Sequence, residues 1–304
     1  MTPTWAPRRT RRSGASILPV LLPIALLIVV AVGVGSWLQF KERQALDTVH
    51  AAGSTAADRV DVRATVQRVD AASRDLVLRV RVTPRGNLGE EGDTAPVGEL
   101  SLQTSAATLG DLSFKAHERT ATKDVQVAIT GGSISDYPFD TYETDIEFWA
   151  QLDGKPVPVR LLFSNNDPLF SVSATPSEVP QEAVLGLELV RSGSLLVFAV
   201  LMMGVMWALA ASVLIGAWYL TTRREGLVWP ALGWMAATLF ALAAFRNTAP
   251  GNPPIGCVLD WFAFLWAETI IALCLLAVVV TGVRAALRPD EEAEADADAA
   301  QPAP

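Results

Sequence analysis

Four long apolar runs interrupt this sequence, and they constrain its fold more than any other feature. They lie at about 17–40, 193–219, 227–245 and 261–283. A helix of about 20 apolar residues crosses the hydrocarbon core of a bilayer, and each run reaches or nearly reaches that length. The mean hydropathy of +0.32 also exceeds that of an ordinary water-soluble domain. The sequence therefore predicts four transmembrane α-helices, one N-terminal and three in a C-terminal domain at 192–284.

Basic residues beside these runs predict the direction in which the chain crosses the membrane. Arginines precede the first run, follow the second and flank the end of the fourth. They share one side if the chain crosses four times, and short cytoplasmic segments are enriched in Lys and Arg. We therefore expect a multi-pass protein of the inner (plasma) membrane, with a basic cytoplasmic N-terminus at 1–16 and an acidic, disordered cytoplasmic tail at 285–304. Cleavage of the first run as a signal peptide is the alternative to an uncleaved anchor.

Residues 41–191 follow a different pattern, in which apolar and polar side chains alternate. Alternation with a period of two indicates half-buried β-strands, and turn signals separate the segments. The candidate strands lie near 60–66, 76–82, 99–104, 111–115, 124–130, 142–150, 156–164, 169–174 and 183–190. Without a helical period among them, these segments predict an extracytoplasmic, all-β, antiparallel sandwich. The predicted fold class is thus a mixed membrane protein.

Composition and motifs exclude several classes of function. The net charge is −8, and residues 51–190 hold 21 acidic and 12 basic side chains, so we expect no nucleic-acid partner. No nucleophile elbow, phosphate-binding glycine loop or Cys/His cluster with metal-ligand spacing is present. We therefore predict that the protein is not an enzyme and that it uses no cofactor and no metal ion.

Tyr137, Pro138, Phe139 and Asp140 form the most specific segment of the predicted sandwich. The segment is similar to the aromatic-Pro-Phe-Asp signature of pentameric ligand-gated channels, and Arg191 at the entry to the next span is a second similarity. Those channels have four spans after the sandwich and no N-terminal anchor. We therefore interpret the segment as a packing device, in which Tyr137 and Phe139 bury against the sandwich base or the lipid interface while Pro138 fixes the turn.

A stripe of small side chains follows one face of the second apolar run. Gly204, Ala208, Ser212 and Gly216 recur at intervals of four residues, which places them in a row on a helix. Such a row lets two helix backbones approach closely. We expect another span to pack there, and a homo-oligomer is one assembly that would use this face.

The loop after the third run, "RNTAPGNPPIGCVLDW", carries charges at its ends and stiffening residues at its centre. We expect Arg246 to pair with Asp260 or with Glu268, which lies roughly 12 Å further along the last helix. Glu268 is then either a proton- or ligand-linked acid or part of a structural pair. The candidate residues of the loop and its flanks are Arg246, Asn247, Pro250, Gly251, Pro253, Pro254, Asp260 and Glu268.

Together these motifs resemble a bacterial membrane family defined by a domain of unknown function, DUF4436, which is frequent in actinobacteria. The resemblance rests on the anchor, the Tyr-Pro-Phe-Asp segment and the pattern R-N-x-x-P-G-x-P-P-x-G-x-x-x-D-x-x-x-F-x-W-x-E, whose last positions include Gly256, Phe264 and Trp266. It covers nearly the whole chain except the basic start and the acidic tail. It implies no activity, substrate or cofactor.

The leading hypothesis is an integral membrane protein whose outer β-domain binds or positions a cell-envelope partner, either a protein or a lipid. Membrane lipids would surround its helices. The alternative is a channel- or transporter-like protein in which Glu268 is an intramembrane coupling acid.

Overall fold

The computed structural model describes residues 18–46, 48–90, 92, 94–105, 112–179, 182–223 and 228–299. The predicted basic segment 1–16 and the last residues of the predicted tail, 300–304, lie outside these ranges. The described chain forms one long N-terminal helix, a β-sandwich and a C-terminal group of helices.

The helices are α1 (Leu18–Leu46), α2 (Gly193–Arg223), α3 (Trp229–Arg246) and α4 (Leu265–Ala299), and a π-helical turn at Asp260–Phe264 leads into α4. The strands are β1 (Val49–Gly53), β2 (Arg59–Asp70), β3 (Asp75–Arg85), β4 (Leu100–Thr104), β5 (Leu112–Phe114), β6 (Lys123–Ala128), β7 (Thr141–Leu152), β8 (Lys155–Val157), β9 (Val159–Asn165), β10 (Phe170–Val179) and β11 (Glu182–Arg191).

Two β-sheets face each other, which confirms the predicted sandwich. Sheet A has the order β1-β9-β2-β3-β6, and sheet B has the order β10-β11-β7-β4-β5 with β8 beside β7. Most pairs are antiparallel, but β2 and β9 run parallel, because the chain passes through sheet B before β9 returns to sheet A. Strand β1, "VHAAG", was not predicted, since it has little apolar alternation.

The apolar sides of the alternating strands fill the space between the sheets. Val60, Val62, Leu76 and Leu78 are fully buried there, together with aromatic side chains such as Phe148. Burying one such side chain contributes about 1.5–3 kcal/mol before the entropy of folding is subtracted. The predicted period of two is thus the pattern that builds this core.

The prediction of four spans, one of them N-terminal, is wrong. Among the described residues, two helical stretches are long and apolar enough to cross a membrane, Gly193–Arg223 and Asp260–Leu287. Only 28% and 22% of the residues in their most apolar windows are buried, whereas the core helix of a water-soluble protein is mostly buried. These two helices therefore indicate membrane association.

The other two predicted spans, in α3 and α1, are not among these stretches. Helix α3 has 18 residues, begins with Trp229 and Pro230, and ends in the charged Arg246, so it is less apolar than a span of that length. In α1, several side chains between Leu18 and residue 28 lie outside the described part. The predicted N-terminal span therefore lies partly outside the described residues.

Helices α2, α3 and α4 bury a shared apolar cluster. The buried face of α2 runs through Ala199, Met206, Ala210 and Val213. Helix α4 continues to Ala299, so 285–299 of the predicted disordered tail extends this helix.

The predicted stripe of small side chains lies away from that cluster. Gly204, Ala208 and Ser212 are exposed, and an added Cβ at Gly204 would meet nothing within 4 Å. Gly216 is half-buried, and its Cβ would lie 3.5 Å from Trp234. Packing of a further helix against the stripe stays a prediction for another copy of the chain.

Candidate functional site

Two buried arginine–aspartate pairs, one in each part, lie where the β-sandwich meets the helices, and this region is called the junction below. The first pair joins Arg191, the last residue of β11, to Asp140, which immediately precedes β7. Because β11 and β7 are antiparallel neighbours, with Val190 opposite Thr141, the register brings Arg191 and Asp140 together. The two side chains are 2% and 0% exposed.

Both carboxylate oxygens of Asp140 accept hydrogen bonds from neighbouring side chains. Arg191 Nε donates to both carboxylate oxygens at 3.0 Å, and Nη2 donates to Oδ2 at 2.9 Å. The hydroxyl of Tyr142 donates to Oδ2 at 2.9 Å. These charge-assisted hydrogen bonds pair the buried carboxylate with its counterion and satisfy both of its oxygens.

Aromatic rings enclose the other side of Arg191. Its guanidinium carbon lies 4.2 Å from the centroid of Phe170 and 5.3 Å from that of Tyr137, which are cation–π distances. Tyr137 is fully buried against the helices, and its peptide bond to Pro138 is cis. Phe139 is 55% exposed, so the sandwich does not bury it, and its contact with lipid stays a prediction.

The hydroxyl of Tyr137 has no hydrogen-bond partner among the described residues, although it is buried. Burial raises the pKa of Tyr137 to about 12, so the phenol is neutral. An unpaired buried hydroxyl is destabilising, by roughly 1–3 kcal/mol. Tyr137 therefore lies in the junction at an energetic cost.

The second pair joins the ends of α3 and α4. Arg246 Nε donates to Asp260 Oδ1 and Nη2 donates to Oδ2, both at 2.7 Å. The side chains are 7% and 0% exposed. The sequence left Asp260 and Glu268 open as partners of Arg246, and the structure shows Asp260. The backbone N–H of Gly256 also donates to Asp260, at 2.7 Å.

The proline-rich loop completes the coordination of Arg246. The carbonyl of Pro253 accepts from Nη1 at 3.0 Å, and that of Pro254 accepts from Nη2 at 2.8 Å. Proline lacks an N–H but keeps its carbonyl, so the two prolines supply acceptors to Arg246 without adding donors of their own. Of the other loop candidates, Asn247 ends α3 and is exposed, and Pro250 is half-buried.

Gly251 connects the two pairs. Its φ of +80° lies in the region that favours glycine, and an added Cβ would lie 2.9 Å from Arg191 Nη1. The loop that coordinates Arg246 thus also presses against Arg191. Cys257, beside Asp260, is buried and free, and burial raises the pKa of its thiol.

Glu268 does not join this network. It is half-buried on α4 and forms no hydrogen bond or ion pair with a described residue. The described residues also contain no group of three His, Cys, Asp or Glu side chains that is arranged to hold a metal ion.

Sequence reasoning missed one further contact at the junction. Glu42, near the end of α1, accepts a hydrogen bond from the backbone N–H of Ser194 at 2.9 Å. A carboxylate at a helix N-terminus satisfies a free donor and favours the helix dipole. A cavity of about 380 Å³ lies beside this contact, between α1 and the sandwich, with Arg43, His50 and Phe170 in its wall. The sequence signal was a charged triplet, "KER", directly after an apolar run.

Comparison with protein families agrees with this division of the chain. Residues 50–189, which hold the sandwich, match the model described as Domain of unknown function (DUF4436). The sandwich belongs to the DUF4436 domain family. In this DUF4436 protein, residues 191–285 match a second model, Domain of unknown function (DUF8686), which begins at Arg191 of the junction. No curated protein matches the sequence.

Proposed function

We propose that this DUF4436 protein is a membrane-bound platform whose β-sandwich binds or positions a cell-envelope partner at a fixed orientation relative to its helices. The observation that carries this proposal is the junction. The loop whose prolines bind Arg246 also approaches Arg191 closely at Gly251, so the pair in the sandwich and the pair in the helices lie against the same loop.

A flexible connection between the sandwich and the helices would not need two buried ion pairs beside one loop. A buried ion pair adds little net stability, because its desolvation offsets the attraction between the charges. It does enforce geometry, since removing one partner leaves an uncompensated buried charge and costs about 3–5 kcal/mol. The junction therefore favours one arrangement of the sandwich over the helices, which suits a protein that positions a partner.

Aromatic side chains support a membrane setting for the helices. Trp218 and Tyr219 are exposed near the end of α2, and Trp261 and Trp266 are exposed where the Asp260–Leu287 stretch begins. Tryptophan and tyrosine are enriched where spans meet the membrane–water interface. In this proposal the sandwich lies outside the cytoplasm, as the sequence predicted.

Site-specific photocrosslinking in native membranes tests the platform. A photoreactive residue would replace Leu162 on the outer face of sheet A or Glu147 on the outer face of sheet B. A fixed orientation should give a crosslinked species from one face that is absent from the other. The Asp140→Asn variant should weaken this difference, because it removes half of a buried pair. Identical crosslinks from both faces would contradict the proposal.

Glu268 supports a second candidate function, that of a channel or transporter. A half-buried carboxylate without a described partner, inside an apolar helix, is a candidate for binding a proton or cation. Protein reconstituted in liposomes should then show ion or proton flux that Glu268→Gln abolishes and Thr281→Val leaves unchanged. Absence of flux at every pH tested would exclude this candidate.

A further inference from the structure

The outer face of sheet A carries a concentration of arginine that the acidic composition of the domain conceals. The side chains of alternate residues in β2, β3 and β9 share this face, because the strands lie side by side in register. The arginines of its end farthest from α2 are called the arginine face: Arg59, Arg63, Arg79, Arg81, Arg85 and Arg160. They are six of the 12 lysines and arginines of residues 51–190.

The acids on this part of the sheet are already engaged. Asp61 accepts from Arg59 Nε at 2.7 Å and from Arg85 Nε at 3.0 Å. Asp124 accepts from Arg79 Nε at 3.0 Å. Among the described residues of this face, Asp61 and Asp124 are thus held by Arg59, Arg85 and Arg79 and not by Arg63 or Arg81.

Among these arginines, Arg63 and Arg81 have the arrangement that indicates a ligand-binding site. They lie directly opposite each other across β2 and β3, and both are exposed. Neither forms a hydrogen bond or an ion pair with any residue that the structure describes. Like charges in directly opposite positions of a sheet destabilise it. The fold tolerates this repulsion although Gln or Thr would fit the same outward positions.

The space above the two side chains is a concave site. A cavity of about 270 Å³ is lined by Arg63, Arg81, Arg85, Thr83, Thr94, Leu162, Gly92 and Asp61. The carboxylate of Asp61 is held by Arg59 and Arg85. The guanidinium groups offer forked N–H donors, the threonines offer hydroxyl donors, and Leu162 offers an apolar contact for the carbon side of a ligand. Paired guanidiniums suit an oxyanion that accepts several hydrogen bonds at once.

We propose that Arg63 and Arg81 form a binding site for the phosphate group of a ligand outside the bilayer. Two positive charges without an ion-pair partner among the described residues match a phosphate monoester, which carries close to two negative charges, better than they match a single carboxylate. A nucleic acid is not favoured, because the rest of the domain is acidic and would repel an extended polyanion. The inference rests on the proposed function, since it gives the chemical class of the partner that the sandwich meets.

The distance between the site and the helices favours a ligand outside the bilayer over a headgroup of the surrounding lipid. Arg63 is level with Leu162 of β9, whereas Asn165, which lines the cavity beside α1 and α2, lies three residues further along the same strand. Strands rise about 3.3 Å per residue, so the opposed pair Arg63 and Arg81 lies roughly 10 Å from the level of Asn165. The pair therefore lies toward the end of the sheet that is farther from this cavity.

Calorimetric titration of the full-length protein with inorganic phosphate tests the site. In nanodiscs of phosphatidylcholine at low ionic strength, the wild type should bind phosphate. Arg63→Gln and Arg81→Gln should each weaken binding by about tenfold or more, because each removes a charge-assisted contact. Arg68→Gln is the matched control: it removes an exposed arginine from the other end of the same face, 4.0 Å from Asp70. Equal effects of Arg63→Gln and Arg68→Gln, or no binding by the wild type, would overturn the proposal.

Thermal unfolding gives a second readout that a merely structural role would not produce. Without phosphate, Arg81→Gln should unfold at the same or a higher temperature than the wild type, since it removes a repulsion. Phosphate should raise the unfolding temperature of the wild type and not that of the variant. A variant that is less stable without phosphate would contradict the opposed-charge argument.

Two further comparisons separate the possible sources of failure. Nanodiscs of phosphatidylglycerol should leave phosphate binding intact in 0.15 M salt, where charges more than about 8 Å apart are largely screened. Loss of binding in those discs alone would reassign the site to lipid headgroups. If phosphate does not bind but crosslinking from Leu162 still captures a partner, this inference fails and the proposed function stands. If phosphate binds without an orientation-dependent crosslink, the reverse holds.

Discussion

The junction and the arginine face use the same side chain in opposite ways. At the junction, Arg191 and Arg246 are buried and each is paired with an aspartate. On the arginine face, Arg63 and Arg81 are exposed, face each other and have no acidic partner among the described residues. The difference teaches that environment, and not residue type, decides whether an arginine fixes the fold or remains available for a ligand.

The largest expected effect is loss of one partner of a buried pair. Asp260→Asn should lower the free energy of unfolding by about 3–5 kcal/mol, because Arg246 would stay buried without its counterion. Chemical denaturation in detergent would measure this change. Asp124→Asn, which breaks the exposed pair with Arg79, is the control and should have no measurable effect. Equal effects of the two changes would erase the distinction between the regions.

The next effect concerns the contact that links the two pairs. Gly251→Ala should cost about 1–2 kcal/mol for its positive φ and more for the close approach to Arg191. Gly256→Ala is a matched control, since Gly256 has a φ of +95° and nothing within 4 Å of its added Cβ. Thermal unfolding should show a larger loss for Gly251→Ala. A larger loss at Gly256 would argue against the link.

Removing the hydroxyl groups of two junction tyrosines should change stability in opposite directions. Tyr137→Phe should stabilise the protein by about 1 kcal/mol, because it deletes a buried hydroxyl without a described partner. Tyr142→Phe should destabilise it by a similar amount, because it removes the hydrogen bond to Asp140. Opposite signs in denaturant titrations are expected. The same sign for both would mean that the hydroxyl of Tyr137 has a partner.

The smallest effect tests the arginine face. Arg81→Glu would place opposite charges across β2 and β3, where like charges now stand, and should raise the free energy of unfolding by about 0.2–1 kcal/mol. The gain should diminish as salt is added. Arg68→Glu, at the other end of the face, would put a second acid next to Asp70 and should give no gain.

The sequence predicted those parts of the fold that depend on local periodicity. Alternation at Val60–Val66 and Leu76–Val82 was sufficient to locate β2 and β3, because the period reports which side of a strand is buried. A charge at each end of one loop was sufficient to pair Arg246 with an acid near the start of the last helix. The choice of Asp260 over Glu268 needed the π-helical turn at Asp260–Phe264, which the sequence does not reveal.

Other features depend on contacts between distant segments. The pairing of Arg191 with Asp140 follows from the register of β7 and β11, which are 30 or more residues apart in the chain. The spacing of Gly204, Ala208 and Ser212 suggested a packing face, but the face of α2 that is buried is the one with Ala199, Met206, Ala210 and Val213. The arginine face was not predicted, because residues 51–190 carry a net charge of −9 (12 basic minus 21 acidic residues). A net charge counted along the chain does not report which strands become neighbours.

The central claim is that the junction fixes the sandwich on the helices, and one distance tests it most directly. Spin labels at Ser113→Cys in β5 and Ile215→Cys in α2 would report the separation of the two parts by pulsed electron paramagnetic resonance, since the native cysteines are buried. The expected result is one narrow distance distribution that broadens in the Arg191→Met variant. A broad distribution in the wild type would contradict the claim.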